Sequence, residues 1–204
     1  MLIEIIYNDN DFLAINKPHG LPVHRSGYVG EADNYAVQLV RDQIGQYVYP
    51  CHRLDSKTSG VLLFALDKET NRLMHQQFAH NQVRKTYIAV VRGYTDDFGI
   101  IDYPLTNEKG KIREAITKYK TLERAELAIP SGKFETSRYS LVEVYPQTGR
   151  FHQIRKHFAH IYHPVIGDRP HGCNKQNRLF KEQFKLTTML LHATQITLNH
   201  PFTT

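Results

Sequence analysis

Apolar residues dominate Leu2–Tyr7 and Phe12–Asn16, and the turn-rich Asn8-Asp9-Asn10-Asp11 lies between them, so the chain opens on two short strands. Lys17-Pro18-His19-Gly20 breaks the pattern, and a loop is expected through Gly30. Val37, Val40 and Ile44 then recur at helical spacing; Asp33 or Asn34 is placed to cap that helix and Gly45 to end it. Tyr49–Asp55 reads as extended. Gly60–Leu66 is apolar at nearly every position, as in a strand buried on both faces, and Asp67 suits the cap of a helix running to about Phe78. Lys85–Val91 is a β-branched and aromatic strand closed by Arg92-Gly93. From Asp96 to Ser137 the signal is polar and irregular, with one or two strands around Thr117–Leu122. Arg138–Tyr145 alternates as a strand, Thr148-Gly149 turns the chain into a helix at about His152–Ile161, and Leu190–Leu198 is a last strand. Hairpins mixed with a few helices, without regular βαβ alternation, predict an α+β fold. No repeat or linker divides the chain, so a single domain over residues 1–204 is expected.

Composition narrows the class. The hydrophobic share of 41% and charged share of 23% suit an ordinary globular core. No apolar run nears the roughly 20 residues that cross a bilayer, and the first residues carry Glu4 and no basic leader, so a cytoplasmic protein with no membrane partner is expected. Cys51 and Cys173 read as buried free thiols, since two thiols make neither a zinc cluster nor, in that compartment, a structural disulfide. The formal charge of +6 raises the expectation of a polyanionic partner.

The richest segment is His52-Arg53-Leu54-Asp55-Ser56-Lys57-Thr58-Ser59-Gly60. If it is extended up to Asp55, alternation puts Arg53 and Asp55 on one side, with His52 and Leu54 on the other. Thr58-Ser59-Gly60 then supplies hydroxyls and a permissive backbone for the turn into the buried strand. On local pattern alone, Asp55 is a turn aspartate capping its own backbone. Further on, Ile154, Phe158 and Ile161 form an apolar helical stripe with Arg155 beside it, and Thr148-Gly149 offers N–H groups at a helix N-terminus, an anion site. Among the 12 histidines, His152, His157, His160 and His163 cluster, but without a glutamate at zinc-protease spacing or a nearby cysteine, so no metal is expected. A Cys51-His52 dyad fails because adjacent strand residues face opposite ways.

The His52–Gly60 segment resembles the His-Arg-Leu-Asp-x-x-Thr-Ser-Gly signature of the RluA/RsuA superfamily of pseudouridine synthases. Asn16-Lys17-Pro18-x-Gly20 with His24-Arg25, Lys85-x-Tyr87-x-Ala89-x-Val91-x-Gly93, and Pro146-x-Thr148-Gly149-Arg150-x-His152-Gln153-Ile154-Arg155-x-His157 resemble further motifs of that family in its own order. So do His163-Pro164-x-Ile166-Gly167-Asp168 and Leu190-Leu191-His192-Ala193. The Asp96–Phe134 region matches only loosely. Chains similar to this one continue past His200-Pro201-Phe202-Thr203 through another strand, so an incomplete last core layer is expected; no accessory RNA-binding module is expected ahead of the first motif.

The resemblance implies the family's catalytic fold, a mainly antiparallel sheet flanked by helices and loops, and a cofactor-independent RNA isomerase. It implies Asp55 as the catalytic carboxylate, Arg155 as its cationic partner and Tyr87 as the aromatic face for a flipped uracil. Arg53 would enter the RNA stack; Lys17, Arg25, Arg150 and Lys156 would contact phosphates, with Thr58, Lys85 and His152 also on the RNA. Lys175, Arg178, Lys181 and Lys185 form an outer basic run. Likeness to the tRNA-modifying members implies uridine 65 of tRNA as the target, with ribosomal RNA as the competing substrate and no protein partner, the chain acting as a monomer. The rival reading is a non-catalytic RNA-binding protein on the same fold.

Overall fold

The computed structural model describes residues 1–25, 33–107 and 109–202. The later half of the loop expected through Gly30, residues 26–30, lies outside the described residues. The chain divides into two compact units, Met1–Arg84 with Ala193–Thr204, and Lys85–His192. No described helix is long and apolar enough to cross a membrane.

In the first unit, β1 (Glu4–Asn8) and β2 (Phe12–Lys17) pair antiparallel around the expected turn. Asp9 builds that turn, its Oδ1 accepting from the N–H groups of Asp11 and Phe12. β2 pairs antiparallel with β4 (Ser59–Ala65), from Phe12 opposite Ala65 to Lys17 opposite Gly60. Their alternating residues bury both faces: Phe12, Ala14, Leu63 and Ala65 join Cys51, Met74 and Val83 in one cluster, while Leu13, Ile15, Leu62 and Phe64 are buried on the other side. α2 (Lys68–Ala79) starts where expected, Asp67 accepting from the N–H groups of Glu69 and Thr70. α1 (Ala36–Ile44) ends at Gly45 in a left-handed conformation, but the N-cap position is held by Tyr35, which makes no capping bond to the helix, and not by Asp33 or Asn34. Nearby, Gln43 clamps the N–H and carbonyl of Ile3 with its side-chain amide.

The expected strand over Tyr49–Asp55 is much shorter. β3 holds only Tyr49–Pro50, paired with the end of β4. Pro50 is followed by a bend, and the chain from Cys51 to Thr58 is loop.

The second unit holds a four-strand antiparallel array in the order β5 (Arg84–Arg92), β10 (Ser137–Pro146), β9 (Ile116–Leu127), β6 (Phe98–Asp102). The region read as irregular contains β6, the short hairpin β7 (Leu105–Thr106) and β8 (Ile112–Arg113), and a 12-residue β9. β9 contains the strand expected around Thr117–Leu122; exposed charges at Lys118, Lys120, Glu123 and Arg124 hid its full length, because one face of it meets water. α3 (Gln153–His160) packs Phe158 against Tyr119 of β9, with ring centroids 5.3 Å apart. α4 (Asn174–Phe184) follows, and β11 (Leu191–Thr197) carries the chain from the second unit back into the first.

Candidate active-site residues

Asp55 sits on a turn in the first unit. Its carbonyl accepts the N–H of Thr58 at 3.0 Å, the closing bond of a four-residue turn. The residue is half-buried, as are Ser56 and Lys57, while Leu54 and Thr58 on either side are buried and Arg53 is exposed. Leu54 anchors the entry to the turn. His52 fixes the preceding bend: its Nε2 accepts the N–H of Leu63 and its ring packs on Phe78. At the exit, Gly60 has φ +107, and a Cβ there would lie 2.1 Å from the carbonyl oxygen of Ala193. Only glycine fits that position.

Lys17 supports the same turn from beneath. It has no exposed surface, and its Nζ donates to the carbonyls of Leu21 (2.8 Å), Pro18 (3.0 Å) and Ser56 (3.0 Å). Ser56 also accepts the N–H of Gly20 through its carbonyl and donates its hydroxyl to the Gly20 carbonyl. The first-motif loop and the Asp55 turn are thus one hydrogen-bonded body. Burial lowers the Lys17 pKa to about 8, partly opposed by the negative charge of Asp55. The expected phosphate contact by Lys17 gives way to this: an ammonium with three carbonyl acceptors and no exposed surface does not reach a phosphate. Arg25, by contrast, is exposed.

In the second unit, Tyr87 lies on β5 opposite Val144, buried to 9% exposure. Lys85, two residues earlier, is partly buried, and burial lowers its pKa. Its Nζ approaches the Thr148-Gly149 turn, 3.8 Å from where a Cβ on Gly149 would stand. Gln153 pins that turn, its Oε1 accepting from the Thr148 hydroxyl and the Arg150 N–H while its Nε2 donates to Ile116 and Thr117. Of the N–H groups following the Thr148-Gly149 turn, that of Arg150 is therefore already engaged. The Arg150 side chain is exposed, with Nε on the Glu114 carbonyl.

Arg155 is buried in a two-pronged ion pair with Asp168: Nε to Oδ2 at 2.8 Å and Nη2 to Oδ1 at 2.7 Å. Burial alone would raise the Asp168 pKa; the hydrogen bonds and charge of Arg155, with the His171 N–H, outweigh it and hold the carboxyl below its ordinary range. Asn177 of α4 braces the Asp168 loop, accepting the Gly167 N–H and donating to the Asp168 carbonyl. Asp168 appeared in the sequence only as the end of a closing motif. Nothing local joins it to an arginine thirteen positions earlier.

The histidines have separate employments. His152 adopts a left-handed conformation (φ 54) at the start of α3, stacks on Phe151, and bonds His171 ring to ring at 2.9 Å. His157 is fully buried between the Thr117 hydroxyl and the Tyr103 carbonyl, His160 stacks on Tyr103, and His163 bonds the Arg92 carbonyl. Lys156 extends over the Phe151 ring. Among the described residues, the one group that could hold a metal is Asp9, Asp11 and His200, which the sequence reading missed. The N–H of Phe202 donates to His200 Nδ1 at 3.3 Å, which puts the ring proton on Nε2, facing both carboxylates at 3.5 Å. That arrangement suits a hydrogen-bonding clip better than a metal.

Residues 11–160 match the protein family described as RNA pseudouridylate synthase, a span containing Asp55, Tyr87 and Arg155 but ending before Asp168. The chain is 48% identical over 211 residues to tRNA pseudouridine synthase C of Pectobacterium carotovorum subsp. carotovorum, covering 98% of this chain and 56% of that protein. It thus spans little more than half of that relative's length. Proteins of the same name from Vibrio parahaemolyticus and Salmonella typhi are 45% and 46% identical, covering 98% and 99% of this chain and 86% and 82% of theirs. Among solved structures, human RNA pseudouridylate synthase domain containing 1 is similar with a TM-score of 0.79 at 25% identity, covering 98% of this chain and 80% of that one. The human domain containing 4 protein has a TM-score of 0.73 at 26% identity, covering 96% and 84%.

Proposed function

Because this chain belongs to the RNA pseudouridylate synthase family, we propose that it isomerises one uridine of tRNA to pseudouridine, with Asp55 as the catalytic carboxylate. The observation that carries the reading is the setting of Asp55: a half-buried carboxylate on a turn fixed by Thr58, Ser56 and the buried Lys17 ammonium. A reacting group held by a rigid scaffold and still reachable from solvent is what positioning catalysis needs.

The reaction breaks N1–C1′, turns the freed uracil, and joins C5 to C1′; N1 gains a proton and the C5 proton passes to solvent. Its oxidation state does not change, so the chemistry calls for a carboxylate against the sugar and a means to hold the detached base. Asp55 supplies the first, by attack on C1′ or by drawing a proton from C2′. Tyr87 gives the uracil an aromatic face. Arg155, its plane set by Asp168, is assigned as the cationic partner of Asp55. A uridine in folded RNA must leave its stack, and exposed Arg53 is assigned to fill the gap. Arg25, Arg150, Lys156, Lys85 and His152 complete the RNA contacts, while Thr58, expected there too, is buried and is assigned to holding the Asp55 turn instead. The target assigned is uridine 65, and the protein works in the cytoplasm.

The test is tritium release from C5-labelled uridine in unmodified tRNA transcripts, with Asp55→Asn alongside the parent. Release by the parent and none by the variant is expected. Transcripts with cytidine in place of uridine 65 should release nothing at that site, and ribosomal RNA fragments should be poorer substrates at equal salt. Tight tRNA binding without release by the parent would instead leave a non-catalytic RNA-binding protein.

A further inference from the structure

Resting on the proposed tRNA substrate, we infer that the exposed face of α4 is a second RNA-docking surface, which holds the phosphate backbone away from the target nucleotide. Lys175, Arg178, Lys181 and Lys185 are all exposed. At 3.6 residues per turn Lys175, Arg178 and Lys181 fall within about a third of the helix circumference and span about 9 Å along it, with Lys185 at the left-handed C-cap. Glu182 is the only acid of α4 and stands in the same arc.

This face works against the stability of its own helix. Like charges repel at neighbouring positions of a helix face, as Lys175–Arg178 and Arg178–Lys181 do, and a cation in the first turn opposes the helix dipole. Among the described residues, Lys185 is the one of the four with a local bond, donating to the Glu182 carbonyl at the helix end. The opposite side of α4 is firmly held. Buried Gln176 accepts from the Tyr139 hydroxyl at 2.5 Å and donates to Ser131 at 2.6 Å, and Phe180 meets the Tyr139 ring edge-on. The cations therefore stand on a rigid platform.

The patch extends beyond the helix. Lys175 Nζ lies 4.0 Å from where a Cβ on Gly132 would stand, beside exposed Lys133 on the turn between β9 and β10. Regularly spaced cations on a fixed rod suit a regularly charged polyanion. Asn177 ties this same helix to the loop of Asp168, so the docking surface and the Arg155 ion pair share one support.

The experiment measures tRNA affinity against salt for the parent and for K175Q/R178Q/K181Q, which keeps Lys185 as the helix-end donor. The triple variant should bind roughly ten- to a hundredfold more weakly at low salt, with the slope of log affinity against log salt reduced by about 2 to 3. K175R/K181R should keep the parent slope, and K68Q/R72Q, removing charge from α2, should change it little. Turnover at saturating tRNA should stay within about twofold of the parent, since the face lies outside the catalytic residues. A triple variant with unchanged slope and a parental unfolding midpoint overturns the proposal, as does an equal loss from K68Q/R72Q, which would mark a net-charge effect alone. Failure of the parent to release tritium would count against the proposed reaction; the binding slopes would still decide this inference.

Discussion

Lys17 and Asp168 show what a single buried charge contributes. A lysine whose pKa falls from 10.5 to about 8 on folding disfavours the folded state below pH 8, and that penalty is relieved as pH rises toward 10.5. Cys51 acts oppositely: burial pushes its thiol from 9.0 up to about 12, so stability drains away above pH 9. Subtracting the curve of Lys17→Met from that of the parent isolates the lysine. The parent should gain up to about 3 kcal/mol relative to the variant between pH 8 and 10.5 in urea unfolding; a flat difference would show Lys17 to be ordinary. Asp168→Asn leaves Arg155 buried beside a neutral amide, and a loss of about 3–5 kcal/mol is expected at pH 7. The Asp168 pKa is depressed, so its contribution is present above the ordinary carboxylate range and lost as pH falls through the lowered value; the variant should be correspondingly less acid-sensitive. At this scale the sequence was a partial guide. It showed Asp55, Tyr87 and Arg155 as candidates through their motifs, yet the same resemblance placed Lys17 on a phosphate, because a motif does not show which carbonyls will surround a lysine once the chain folds. It had no means to see Asp168 facing Arg155, a contact between helix α3 and the loop that precedes α4.

Elements were legible where local chemistry decides them. Asp67 before a helix, Gly45 after one, and the apolar β4 were all readable because each is settled within a few residues. Asp67→Ala should cost about 1 kcal/mol by loss of two N–H partners of α2, measured as a shift in urea midpoint. Gly60→Ala should be far more damaging, by about 2 kcal/mol or more, since it combines a left-handed backbone with a Cβ driven into the Ala193 carbonyl; failure to accumulate folded protein is the extreme of that outcome. Where pairing is long-range, the reading fell short. β9 depends on Ser137–Pro146 across ten paired positions, and its own charged sequence announces only the part around Thr117–Leu122. Tyr49–Asp55 has the composition of a strand, but Leu54 and the turn bond at Asp55 take the chain out of the sheet after Pro50.

For the whole molecule, each compact unit carries one thiol. Cys51 is in the core of the first unit with its pKa near 12; Cys173 is partly exposed in the second. Iodoacetamide at pH 8 should modify native Cys173 well before Cys51, and Cys51 should react only as fast as the first unit opens. Equal rates in the folded protein would contradict the buried setting of Cys51. The order of the chain adds something further. The first unit is interrupted: its core cluster is lined by Ile196 and Leu198, which follow the whole of Lys85–His192 in sequence. During translation, the second unit can finish while the first still lacks a wall of its core. The nascent chain therefore carries Asp55, the helix α2 and their exposed apolar neighbours in an unsealed state until synthesis passes Leu198, and it is in that interval that a chaperone would find most to hold.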